Sequence, residues 1–131
     1  MSRRLTSRHE SLKHESLKKE IKKQPHLIGL CEVIFAAEEM EIYSDGGRLK
    51  APDLIFQGRF DGEAKQNGLY WILVEVKSTR TRDNADYAVK QLTNGKRYLQ
   101  DYLHIDAGSI RTMFAYGEKD DTITCEEVKI K

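Results

Sequence analysis

Apolar and polar positions alternate along the chain in a way that predicts seven elements. Residues 5–23, "LTSRHESLKHESLKKEIKK", hold good helix formers and no Gly or Pro. Ser7, with Glu10 three residues on, forms a capping box at the start, and Pro25 closes the segment. Glu10, His14, Leu17 and Ile21 recur at spacings of 4, 3 and 4 and share one helical face. A tandem HESLK at 9–13 and 14–18 has a five-residue period that keeps no helical face, so the repeat is read as accidental. Residues 30–43, "LCEVIFAAEEMEIY", are predicted mainly as strand from their β-branched and aromatic content, although the AAEEME centre fits a helix. "SDGGR" at 44–48 is a turn. "APDLIFQG" at 51–58 is a short strand opened by a proline, where a missing amide is tolerated. Asp-Gly and Asn-Gly within 60–68 mark a hairpin connection to a strand at 69–78. Ala85, Ala88, Val89, Leu92, Leu99 and Leu103 fall at helical spacing over 83–103, with Gly95 weakening the middle. Residues 110–117 and 122–130 are two strands around the turn "EKDD". The order α, β, β, β, α, β, β predicts an α/β fold with one domain over residues 1–131.

Composition changes this picture little. With 131 residues, 33 % charged and 39 % apolar, the chain reads as a soluble domain able to bury a core without disulfides. No apolar run of about 18 residues is present, so no membrane span is expected. The basic N-terminus lacks the apolar run of a secretory signal. Cys31 and Cys125 fit no CxxC pattern and read as two reduced thiols of a cytoplasmic protein.

Charge changes it more. The net charge of +1 divides unevenly: residues 1–23 hold eight Lys/Arg and three Glu, a local charge of +5, and the rest of the chain is −4. A basic segment beside an acidic domain suits approach to a polyanion while carboxylates remain for a metal. A solvated helix of mixed charge explains the segment equally well.

The strand "LYWILVEVKST", residues 69–79, carries Glu75 and Lys77 on one face, because side chains i and i+2 of a strand point the same way. Asp53 opens the preceding strand. Antiparallel pairing brings the start of one strand beside the end of the next, so Asp53 is expected next to Glu75 and Lys77. Two carboxylates at one point form a hard oxygen site of the kind that holds Mg²⁺ with waters and phosphate oxygens. A lysine beside them orients water or stabilises charge on a phosphate.

Pro-Asp at 52–53, then Glu-Val-Lys at 75–77 after the apolar run "LYWILV", resembles the PD-(D/E)XK nuclease superfamily, over about residues 8–117. The resemblance implies a restriction-endonuclease-like core, α-β-β-β-α-β, with a central mixed sheet flanked by helices. It implies a Mg²⁺- or Mn²⁺-dependent deoxyribonuclease in which Asp53 and Glu75 bind the metal and Lys77 is catalytic. Members also place an acidic metal ligand on the first helix. Glu10 is the best match, because Glu15 and Glu20 leave the apolar stripe; Glu39 or Glu41 could fill the role from the first strand. Several branches add a Gln on the helix after the ExK strand, often with a Tyr four residues on. Gln91 is well placed, whereas residue 95 is Gly and the nearest Tyr is Tyr98.

Beyond the motif, "STRTR" at 78–82 offers hydroxyls and two arginines. Ser78, Arg80 and Arg82, with Lys90, Lys96 and Arg97 on the next helix, are candidate DNA-backbone contacts; an ordinary basic loop is the rival reading. No base-reading module is recognisable, so structure-directed or non-specific cleavage, in repair, recombination or mobile-element metabolism, is expected over sequence-specific restriction. Small nucleases of this type include junction resolvases, which work as dimers, so a homodimer is expected by analogy. RNA as substrate stays open, as does a non-catalytic nucleic-acid-binding or assembly subunit that keeps the fold. His9, His14, His26 and His104 show no ligand spacing and are assigned to the surface or to helix packing. Trp71 and the tyrosines are assigned to the core and to interfaces.

Overall fold

The computed structural model describes residues 2–44, 46–62 and 69–130, with side chains from residue 13 onward among these except that of Ser44. Helix α1 (Ser2–Lys23) leads through a 3₁₀ turn at Pro25–Ile28 into β1 (Leu30–Glu38). A small ribbon follows, β2 (Ile42–Ser44) and β3 (Gly47–Leu49), then β4 (Leu54–Phe60), β5 (Tyr70–Lys77), α2 (Arg82–Asp101), β6 (Ile110–Gly117) and β7 (Ile123–Glu127). Five strands form one mixed sheet in the order β1-β4-β5-β6-β7. The pairs β1–β4, β4–β5 and β6–β7 are antiparallel. Strands β5 and β6 run parallel, so the chain must cross over between them, and α2 is that crossover. This is an α/β fold with a central mixed sheet flanked by helices, as expected.

The central strands β4, β5 and β6 are buried on both faces, because each face of the sheet receives one helix. Leu17 and Ile21 of α1 pack with Phe56, Val74, Val76 and Met113 on one side. Ala88, Leu92 and Leu99 of α2 pack with Ile55, Leu73 and Phe114 on the other. The apolar run of β5 reflects this double burial: Ile72, Val74 and Val76 join the first cluster, and Leu73 the second. Strand alternation then aims Glu75 and Lys77 along the α2 side, at the end of the central strand.

Several sequence expectations need correction. Helix α1 begins at Ser2, so Ser7 lies inside it and not at its start. The segment 30–43 is not one strand. Glu39 adopts a left-handed conformation (φ 53°), which ends β1 and turns the chain into the β2–β3 ribbon. The strand expected at 51–58 runs over Leu54–Phe60 instead, because Pro52 has no amide to give the ladder. The helix expected to reach residue 103 ends at Asp101, and β7 ends at Glu127. Residues 63–68 of the expected hairpin connection lie outside the described residues.

Gly95 has a packing reason. A Cβ there would lie 2.8 Å from Cδ and Cγ of Pro52 and 3.0 Å from Leu73 Cδ1. The glycine lets α2 approach the rigid proline that precedes Asp53. In an unconstrained helix, Gly→Ala gains about 1 kcal/mol. Here Gly95→Ala is expected to lower stability by about 1–3 kcal/mol through overpacking, read as a reduced urea midpoint. A raised midpoint would show that the contact with Pro52 is loose.

Candidate active site

The Leu54–Val74 pair closes the β4–β5 ladder, and Asp53 and Glu75 are the next residues out. There the ladder is replaced by a reciprocal exchange between backbone and side chains. The Asp53 amide donates to Glu75 Oε1 (3.1 Å), and the Val76 amide donates to Asp53 Oδ2 (2.9 Å). Each carboxylate is thereby aimed by the neighbouring segment's backbone. Lys77 Nζ lies 3.6 Å from Glu75 Oε2. It also sits over the Tyr87 ring of α2, 4.7 Å from the centroid, a cation–π contact that holds the ammonium at the sheet end. Lys50 Nζ approaches the same ring at 5.7 Å.

Helix α1 supplies His14 and Lys18. His14 Nε2 lies 3.2 Å from Asp53 Oδ2 and 2.8 Å from the Val76 carbonyl oxygen. Both neighbours are acceptors, so Nε2 carries the proton. One turn on, Lys18 Nζ lies 4.0 Å from Asp53 Oδ1, 3.4 Å from Glu15 Oε1 and 3.3 Å from Glu39 Oε1. The left-handed turn at Glu39 serves this arrangement, since the Glu39 amide donates to the Asp53 carbonyl at 3.0 Å.

The charges divide accordingly. Burial pushes the Glu75 carboxyl up and the Asp53 charge pushes it further, to about 9. Burial acts the same way on Asp53. The hydrogen bonds from His14 and the Val76 amide outweigh it and hold that carboxyl below the ordinary range. The bond to Asp53 raises His14 against the opposing effect of burial. Lys18 is raised too, its carboxylate partners outweighing its burial. The surroundings thus favour the ionised form of Asp53 and the protonated form of Glu75.

Asp53 also lines a groove of about 550 Å³ with Glu39, Arg48, Lys50, Pro52 and Gln91. Gln91 is buried on α2. Its amide nitrogen reaches the Ala51 carbonyl at 3.4 Å, while its buried Oε1 has no hydrogen-bond partner among the described residues.

The structure thus brings Asp53, Glu75 and Lys77 into contact and sets Gln91 beside Asp53 along the groove. It does not gather the rest. The Glu10 side chain lies outside the described residues. Glu41 turns to Tyr43 and Arg48. Tyr98 stacks on Tyr102, with ring centroids 5.2 Å apart. In "STRTR", Arg80 is tied to Glu126 at 3.1 Å, and the Thr81 hydroxyl caps α2 by accepting from the Asn84 amide at 3.0 Å. Ser78 is half-buried after β5, and Arg82 and Lys90 are exposed on α2. His14 and Lys18 were missed as site residues. The apolar stripe through Leu17 and Ile21 was the available signal for His14, which it carries inward. Lys18 lies one place off that stripe and gave none.

No cluster of three or more His, Cys, Asp or Glu side chains arranged to hold a metal occurs among the described residues. The hard oxygens at this point come from two carboxylates and the Val76 carbonyl. That donor set fits Mg²⁺ or Mn²⁺, which take one or two carboxylates and fill the remaining positions with water and phosphate oxygens. No helix among the described residues is long and apolar enough to cross a membrane. Comparison with protein-family models, with curated proteins and with solved structures finds no match for this chain.

In metal-free buffer Glu75 makes stability fall as pH rises from about 4.5 toward about 9, and His14 adds to the fall above about 6.5. Both groups bind their protons more tightly folded than unfolded. Rising pH therefore strips His14 of the charge that pairs Asp53 and forces Glu75 to ionise in a buried site. Thermal midpoints across this range should show the decline, and Glu75→Gln should make it shallower, leaving the part above about 6.5 that belongs to His14. A flat wild-type profile would contradict the described coupling.

Proposed function

We propose that this chain is a divalent-cation-dependent deoxyribonuclease of the PD-(D/E)XK type, cutting DNA in a structure-directed or non-specific way. One observation carries the reading. Pro-Asp and Glu-x-Lys, separated in sequence, meet at the open end of two adjacent strands, with Asp53 N 3.1 Å from Glu75 Oε1 and Lys77 Nζ 3.6 Å from Glu75 Oε2. The element order around them, helix, antiparallel strands, crossover helix and parallel strand, supports the same reading.

Asp53 and Glu75 would hold the cation, with the Val76 carbonyl as a neutral donor. Bound there, Mg²⁺ or Mn²⁺ supplies charge neutralisation at a phosphodiester and lowers the pKa of water. Lys77 hydrogen-bonds the attacking water and stabilises charge building on the phosphate. Tyr87 keeps the lysine ammonium from swinging into solvent. Arg48 and Lys50 along the groove, with Arg82 and Lys90 on α2, attract the phosphate backbone without reading bases. DNA is the proposed partner, and two copies of the chain would be needed for paired cuts in a symmetric substrate.

The test is cleavage of linear duplex, single strand, flap and four-way junction with Mg²⁺, Mn²⁺ or EDTA. Cutting should require the metal and fall by about 10²–10⁴-fold in Lys77→Ala. The circular dichroism spectrum of the variant should stay that of wild type. Cutting in EDTA, or full activity in Lys77→Ala, would count against this mechanism. Metal-independent DNA binding with no cutting would favour a non-catalytic subunit.

A further inference from the structure

Lys18 is a buried charge that the proposed reaction does not use. Its side chain is only 2 % exposed. Removing an ammonium from water is costly unless it is well paired. The compensation comes from three separate stretches of chain: Glu15 from the same helix (3.4 Å), Glu39 from the turn after β1 (3.3 Å) and Asp53 from the approach to β4 (4.0 Å). Asp53 is the shared member. Its Oδ1 faces Lys18, while its Oδ2 faces the Val76 amide and His14.

That layout has a chemical counterpart. In two-metal sites the ions lie about 3.5–4 Å apart and serve the reacting oxygens from two sides. Here the Oδ1 side of Asp53 already faces a cation that also meets the carboxylates of Glu15 and Glu39, and that cation is an amine anchored in the protein. Its side chain is buried, so the ammonium occupies this position without a solvated ion beside it.

Resting on the metal-dependent reading above, we propose that the Lys18 ammonium takes the place of a second divalent cation beside Asp53, so that the site binds a single divalent ion. Lys18 is then a positioning residue. It balances and orients Asp53 without touching substrate. An ordinary structural ion pair would hold the helix in place but would not set how many ions bind.

The experiment counts Mn²⁺ bound at equilibrium, from the free-ion electron paramagnetic resonance signal. Wild type, Lys18→Arg and Lys18→Met are compared, with circular dichroism confirming the fold. Wild type and Lys18→Arg should bind one Mn²⁺ per chain. Lys18→Met leaves Glu15, Glu39 and Asp53 without their cation and should bind two, and adding Glu39→Gln should return the count to one. Two ions in wild type, or one in a folded Lys18→Met, would overturn the inference. If Lys18→Met does not fold, Lys18→Gln takes its place in the count with the same expectation of two, and two ions in wild type overturn the inference in either case. A wild type that binds no Mn²⁺ at all overturns the metal-dependent reading itself, and this inference with it.

Discussion

The structure turns on the exchange of two hydrogen bonds at the end of the β4–β5 ladder. Asp53 gives its amide to the Glu75 carboxylate and takes the Val76 amide with its own. An ordinary ladder would continue here with backbone pairs, but Pro52 removes one amide and ends the regular pairing. The two carboxylates complete the ladder in place of carbonyls. They are consequently fixed against each other in a buried corner, where like charges cost most.

Everything around that corner answers the resulting charge. Helix α1 brings His14 and Lys18, the strand brings Lys77, and α2 brings the ring of Tyr87 that steadies Lys77. The two helices lie on opposite faces of the sheet, and each places side chains at this end of it. The closeness of α2 depends on Gly95, whose missing side chain lets the helix rest on Pro52. Packing and electrostatics are thus coupled: loosening α2 would shift the proline that aims Asp53.

Much of this frame was legible from residue patterns. The period of apolar positions located both helices and the sheet strands, and strand alternation put Glu75 and Lys77 on one face. The juxtaposition with Asp53 followed from antiparallel pairing alone. The break at Glu39 was not legible, because a left-handed turn at a glutamate leaves no residue signature of the kind glycine does. Nor was the β2–β3 ribbon, whose strands of three residues are too short to show a period. Gly95 looked like a weak point in a helix because its reason lies in another element. The meeting of Lys18 with Asp53 depends on how α1 docks on the sheet, which is a tertiary fact. His14 was within reach of the stripe argument, but without ligand spacing among the histidines it was assigned to packing.

The central claim is that Asp53 and Glu75 together make a divalent-cation site. The most direct test is anomalous diffraction from crystals grown with Mn²⁺, collected for wild type and for Glu75→Gln. An anomalous peak is expected in wild type between the Asp53 and Glu75 carboxylates, within bonding distance of both, with its loss or marked weakening in the variant. No peak between them at saturating Mn²⁺, or a peak unchanged by Glu75→Gln, would contradict it.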